Sequence, residues 1–137
     1  QLRYEQLSPG TFSGELHHVQ LPGLRLVFEQ SARALRQRGD LGHGSYGFAM
    51  ALKPSGAAIF NGQRAEHDTI MVGRGDELDL CTPDDYALIA AVVDRELVAP
   101  LWERMYQKPL ARWLESQLVV PARPAAAIPT AHDPKTR

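Results

Sequence analysis

The stretch that most constrains the fold is residues 57–94, AAIFNGQRAEHDTIMVGRGDELDLCTPDDYALIAAVVD. Short apolar segments at 57–60, 69–72, 77–81 and 86–93 are separated by Asn61-Gly62, Arg74-Gly75-Asp76 and Pro83-Asp84. Such a succession of apolar runs and turn formers is the signature of compact antiparallel β-structure. Residues 77–81 alternate strictly, which sets Leu78 and Leu80 inward and Glu77 and Asp79 outward. Residues 86–93 are apolar on both alternating faces, so they read as a strand covered on both sides. A deep strand and a wall strand joined by tight turns point to a small barrel or jelly roll.

Upstream, residues 2–11 read as a short edge strand ending at the turn Ser8-Pro9-Gly10. Leu16, Val19 and Leu21 lead into Pro22-Gly23, and Leu24, Leu26 and Phe28 then alternate with Arg25, Val27 and Glu29 as a half-buried strand, which predicts a hairpin. Residues 31–38 fit either a helical turn or a polar strand, and the neighbouring strands favour the strand. Tyr46, Phe48, Met50 and Leu52 fall on one face and Gly47, Ala49 and Ala51 on the other. A strand with one small face is expected to lay that face against another layer.

Beyond Asp94 the period changes from two to about four. Leu97, Leu101 and Met105, with Trp102 beside them, mark a helix with Asp94 as a possible N-cap. Pro100 places the expected start of its regular part at Ala99. A second helix is signalled by Pro109, then Leu110, Trp113, Leu114 and Leu118 on one stripe, ending before Pro121. The expected organisation is a β-barrel over residues 1–94, a helical dimerisation or packing segment over 95–120, and a Pro/Ala-rich linker or disordered tail over 121–137.

A length of 137 residues suits one domain, and a net charge of -1 with scattered signs gives no footprint for nucleic acid. The lone Cys81 excludes an internal disulfide and a Cys-based zinc site, and it reads as a packed or wall-lining thiol. No apolar run approaches the roughly 18 residues of a membrane span and no signal sequence opens the chain, so a cytoplasmic protein without a membrane partner is expected. The chain opens with Gln1 rather than Met, the mark expected of a piece of a longer protein.

Chemistry-bearing motifs are sparse. His17 and His18 are adjacent, so on a regular strand they point to opposite faces and cannot share one ion. His43 and His67 read as loop residues, and the glycines at 42, 44 and 47 lack a Walker lysine and a following helix. No catalytic residue, metal or cofactor is expected. Arg33, Arg36 and Arg38 form a basic cluster that suits either a charge-protected edge strand or an anionic ligand.

Leu-Pro-Gly-Leu-Arg-Leu at 21–26, Asn61-Gly62, Gly-Asp-Glu-Leu-Asp-Leu-Cys-Thr-Pro at 75–83, the apolar strand and the Leu/Trp helix pair together carry a resemblance. Over residues 2–120 the chain resembles the N-terminal effector-binding and dimerisation domain of AraC/XylS-type bacterial transcription regulators. The resemblance implies a mainly β fold, a cupin-like antiparallel barrel or jelly roll followed by two C-terminal α-helices that dimerise, with a small effector inside the barrel. It also implies that DNA is reached only through a C-terminal domain of two helix-turn-helix units, which these residues do not contain. Metal-dependent cupins use a His-x-His that this chain lacks, which favours a barrel that binds over one that catalyses.

On the faces taken as inward by alternation, the candidate ligand-binding residues are His18, Phe28, Arg36, Tyr46, Phe48, Met50 and Phe60. The candidate dimerisation residues are Leu101, Trp102, Met105, Leu110, Trp113 and Leu114. A metal-dependent cupin enzyme, dioxygenase or isomerase, and a filled barrel that only dimerises are the competing readings.

Overall fold

The computed structural model describes residues 2–42, 44–74, 77–107, 109 and 119–121. In chain order the strands are β1 (Leu2–Gln6), β2 (Gly14–Leu21), β3 (Leu24–Ser31), β4 (Leu35–Gly39), β5 (Ser45–Ala51), β6 (Ala58–Phe60) and β7 (Gln63–Ala65). They continue as β8 (Thr69–Gly73), β9 (Leu78–Thr82) and β10 (Tyr86–Asp94), followed by helix α1 (Arg95–Tyr106) and β11 (Val119–Pro121).

Turn chemistry sets the registers. Asn61 and Gly62 both take positive φ, 47° and 83°, the conformation of a two-residue hairpin turn whose twist matches its strands. That turn pairs Phe60 with Gln63 and sends Ala58 and Phe60 to the interior. Pro22-Gly23 joins β2 to β3 in the same two-residue manner, with Gly23 at φ 72° and Leu21 opposite Leu24. A side chain at residue 23 would also crowd Leu97 of α1, its Cβ lying 3.1 Å from Leu97 Cδ2.

All the pairings are antiparallel and make two sheets, β1-β4-β9-β6-β7 and β11-β8-β5-β10-β3-β2. Facing inner surfaces meet in a core of Ala58, Phe60, Leu80, Met71, Tyr86 and Leu88. The expected barrel is not closed: β1 and β2 remain edges of separate sheets with no ladder between them. Tyr4 and Leu16, which face inward from those two edges, are 47% and 56% exposed, so this side is open.

The small and large faces of β5 do different jobs. Ala49 and Ala51 pack on the core between the sheets, whereas Tyr46 and Phe48 point outward with Val72 and Ile70 of β8. Val98, Ala99 and Trp102 of α1 cover this outer cluster, and Arg95 lies over the Tyr46 ring at 5.1 Å. The helix is fixed at its start by two main-chain bonds, Asp94 N–H to the Gly23 carbonyl (2.9 Å) and Arg95 N–H to the Gly44 carbonyl (2.8 Å).

Two expectations about the C-terminal part need correction. The helix begins at Arg95, not Ala99, and carries Pro100 in its interior; packing of Val98, Ala99 and Trp102 on the sheet offsets the one backbone bond that a proline forfeits. Asp94 occupies the N-cap position but makes no side-chain capping bond. Val119 and Val120, expected to end the helical segment, and Pro121, expected to open the linker, form a strand paired antiparallel with Thr69, Ile70 and Met71 of β8. The expected second helix, with Leu110, Trp113 and Leu114, falls outside the described residues.

The helix cover yields a contrast that urea denaturation can read. Tyr46, 2% exposed beneath α1, is expected to cost roughly 3–5 kcal/mol on truncation to alanine, the range for a large buried aromatic ring, with the midpoint falling at constant slope. Ile89→Ala, on the same sheet face but 39% exposed, is expected to cost less than about 1 kcal/mol.

Candidate functional site

Between the two sheets lies a cavity of about 450 Å³. Its existence follows from residue size along the register. One inner row of the six-stranded sheet runs Arg25, Val92, Gly47, Gly73, and the next runs Val27, Ala90, Ala49, Met71. Glycine and alanine at these central positions leave the space that larger side chains would fill. A Cβ at Gly47 would lie 2.5 Å from Leu41 Cδ1, so glycine there also lets Leu41 fold over the end of the cavity.

The opposite wall is the row Tyr4, Gln37, Leu80, Phe60, contributed by β1, β4, β9 and β6. Leu78 and Leu80 face the cavity and Asp79 faces away, as the alternation of residues 77–81 predicts. Most of the lining is aliphatic or aromatic, with a few polar groups from both sheets: Tyr4, His18, Gln20, Arg25, Glu29, Gln37 and Asp40. That mixture, an apolar volume with sparse convergent polar groups, is the usual form of a small-molecule site.

Tyr4, Glu29 and Gln37 form a polar bridge across the interior. The Tyr4 hydroxyl donates to Glu29 Oε1 at 3.1 Å, and the Gln37 side chain, 3% exposed, also hydrogen-bonds Glu29. Burial raises the Glu29 carboxyl above the usual glutamate range, and these two hydrogen bonds pull it only part of the way back. Tyr4 is raised well above an ordinary phenol by burial first, then by the Glu29 charge. A second cavity of about 250 Å³ shares Tyr4, Leu16, Glu29, Gln37 and Leu88 with the first, so the bridge is the partition between them.

Three of the candidate residues read from sequence line the main cavity: His18, Phe48 and Phe60. Phe48 sits at its floor while sharing the outer face with Tyr46, beneath the helix. The other four lie away from it. Tyr46 is under α1, Phe28 stacks against His17 at 5.9 Å on the outer face, and Met50 shares that face and is 36% exposed. Arg36 is on the outside of the other sheet, where its Nε and Nη2 donate to the Asp79 carboxylate at 3.0 and 2.8 Å. The Arg36 guanidinium in turn holds Asp79 below the usual carboxylate range.

The physical reason is parity. A period of two groups side chains by face but does not say which group faces the core, and bulky residues can cover a sheet from outside as well as fill it. Sequence reasoning missed Tyr4, Arg25, Glu29 and Gln37. For Arg25 and Glu29 the signal was available: polar residues alternating with Leu24, Leu26 and Phe28 were read as solvent-facing.

Among the described residues no group of three or more His, Cys, Asp or Glu side chains is placed to hold a metal ion. Of the candidate dimerisation residues, Leu101 and Met105 are exposed on α1, whereas Trp102 packs toward the sheet with its ring 4.5 Å from that of Tyr106. No helix among the described residues is long and apolar enough to cross a membrane.

No protein-family model matches the chain. Among solved structures, the crystal structure of the AraC-like transcriptional activator CuxR aligns over 83% of this chain at 13% identity, with a TM-score of 0.59. The likeness is one of fold. It takes in 43% of that protein, so the chain spans less than half its length.

Glu29 makes a testable pH signature. Its folded pKa is raised, so stability falls as pH climbs from the ordinary glutamate value, about 4.3, through the raised one. Glu29→Gln keeps an acceptor for Tyr4 and removes the cost of burying the charge. Its melting temperature is expected to match or exceed that of the parent at neutral pH, with the gap closing below about pH 4.

Proposed function

We propose that the chain is the ligand-sensing and dimerisation domain of an AraC-type transcription regulator. A small effector enters the cavity between the sheets without the help of a metal, and DNA is reached through a separate domain. The observation that carries this reading is the cavity itself, about 450 Å³ over a floor of Gly47, Ala49, Gly73 and Ala90. A barrel that served only to dimerise would have no use for so much unfilled volume, which costs packing energy. The fold shared with the AraC-like activator CuxR adds support at the level of architecture.

In this reading the route from ligand to partner domain runs through β10. Leu88, Ala90 and Val92 line the cavity from β10, and β10 runs without a break into α1. An effector that favours one placement of β10 favours one placement of the helix, by no more than the difference in its affinity for the two. Leu97, Leu101 and Met105 leave an apolar stripe exposed on α1, the surface through which two copies pair in this reading.

A thermal-shift screen of organic acids, amines, sugars and aromatic compounds tests the sensor. A true effector raises the melting temperature in a concentration-dependent way. Ala49→Phe, which fills the floor at a cost of about 1–3 kcal/mol, is expected to abolish that rise. A screen with no hit, or a hit that Ala49→Phe leaves intact, would sink the assignment of the cavity. Sedimentation of the Leu101→Glu, Met105→Glu double variant tests pairing separately: the parent is expected to be a dimer and the variant a monomer.

A further inference from the structure

Resting on the reading of the cavity as an effector site, we propose that the effector is a small organic acid, its carboxylate received by Arg25 and its apolar body held against Phe60 and Leu80. The Arg25 Nε–H lines a buried part of the cavity wall and has no acceptor among the described residues. A buried donor on a charged group without an acceptor is costly. The wall therefore asks for an acceptor from within the cavity. A carboxylate matches the planar guanidinium fork with two oxygens at once.

The carboxylates already in the wall do not fill this role. Glu29 is four residues along the same face of β3, with Cα atoms about 13 Å apart at the usual rise per residue. Its oxygens are engaged by Tyr4 and Gln37. Asp40 has an interaction of its own. Beside Arg25 the row continues through Val92, Gly47 and Gly73, so little side-chain bulk stands between the guanidinium and the centre of the cavity. Beyond it lie Phe60, Leu78, Leu80 and Met71, which have nothing to offer a second charge. One acid group on an apolar body is the ligand chemistry that satisfies both ends.

Calorimetry on the 137-residue chain at neutral pH would compare two matched sets: phenylacetate, phenylacetamide and phenethylamine, then hexanoate, hexanamide and hexylamine. At least one acid is expected to bind at least about tenfold more tightly than its amide, and Arg25→Gln is expected to erase that preference while amide binding persists. Preference for an amide or amine, or an acid preference that survives Arg25→Gln, would overturn the acid inference and leave the cavity as a binding site. Binding of none of the six would overturn it too, and the broad screen with Ala49→Phe then decides separately whether the cavity is a site at all. Should Arg25→Gln not fold, Arg25→Lys keeps the charge without the fork. An undiminished acid preference in that variant overturns the role of Arg25.

Discussion

The structure depends on the unequal faces of β5 and on its pairing with β10. Seven β10 residues from Leu88 to Asp94 lie opposite β5, and this pairing places the glycine and alanines of β5 inside and its tyrosine, phenylalanine and methionine outside. Had the large face turned inward, the sheets would meet around a filled core and α1 would have nothing to cover. As built, the small face makes room for a cavity and the large face makes a seat for the helix. Cavity and helix are two consequences of one alternation.

Among the described residues, the polar groups of the cavity wall include a set that satisfy one another and a buried Arg25 Nε–H that has no acceptor. Tyr4, Gln37 and Glu29 satisfy one another across three strands of two sheets, and the cost of burying Glu29 shows in its raised pKa. Elsewhere the charges that matter for structure sit at the surface. Asp84 accepts from the Ser8 hydroxyl and the Ala34 N–H, tying the segment after β1 to the turn before β10, and these bonds keep its carboxyl below the usual range. Arg36 with Asp79 does the same across the outside of β4 and β9. Exposed pairs of this kind contribute little to stability and mainly keep register. Arg25 stands apart as a buried donor with no acceptor among the described residues, and it is the feature that most narrows the chemistry of a ligand.

Much of the architecture was legible from the chain. Asn61-Gly62 and Pro22-Gly23 announce hairpins because their φ requirements exclude most other conformations, and both hairpins form. Strict alternation in residues 77–81 sets the inward leucines correctly, and the small face of β5 lies against another layer as its residue sizes predict. Pro100 does not start the helix as its residue type suggests: a proline forbids one hydrogen bond, and tertiary packing can absorb that loss. The strand at Val119–Pro121 was invisible because three residues carry no period; only the open edge of β8 defines them as a strand.

The sequence by itself determined which residues share a face, where the chain turns and that α1 follows the last long strand, because these are local properties of φ, ψ and side-chain size. For β3, β4 and β5 it could not determine which face looks inward, since a period of two is silent about sign. Alternation therefore assigns Tyr46, Phe28, Met50 and Arg36 to the interior and Arg25 and Glu29 to the surface, the reverse of the structure. Only tertiary structure decided the matter: the outer face of the six-stranded sheet is partly covered by α1, which makes an apolar surface there as favourable as one in the core. The cavity likewise belongs to tertiary structure, because its walls come from strands far apart in the chain and its volume is set by which small residues meet across the registers.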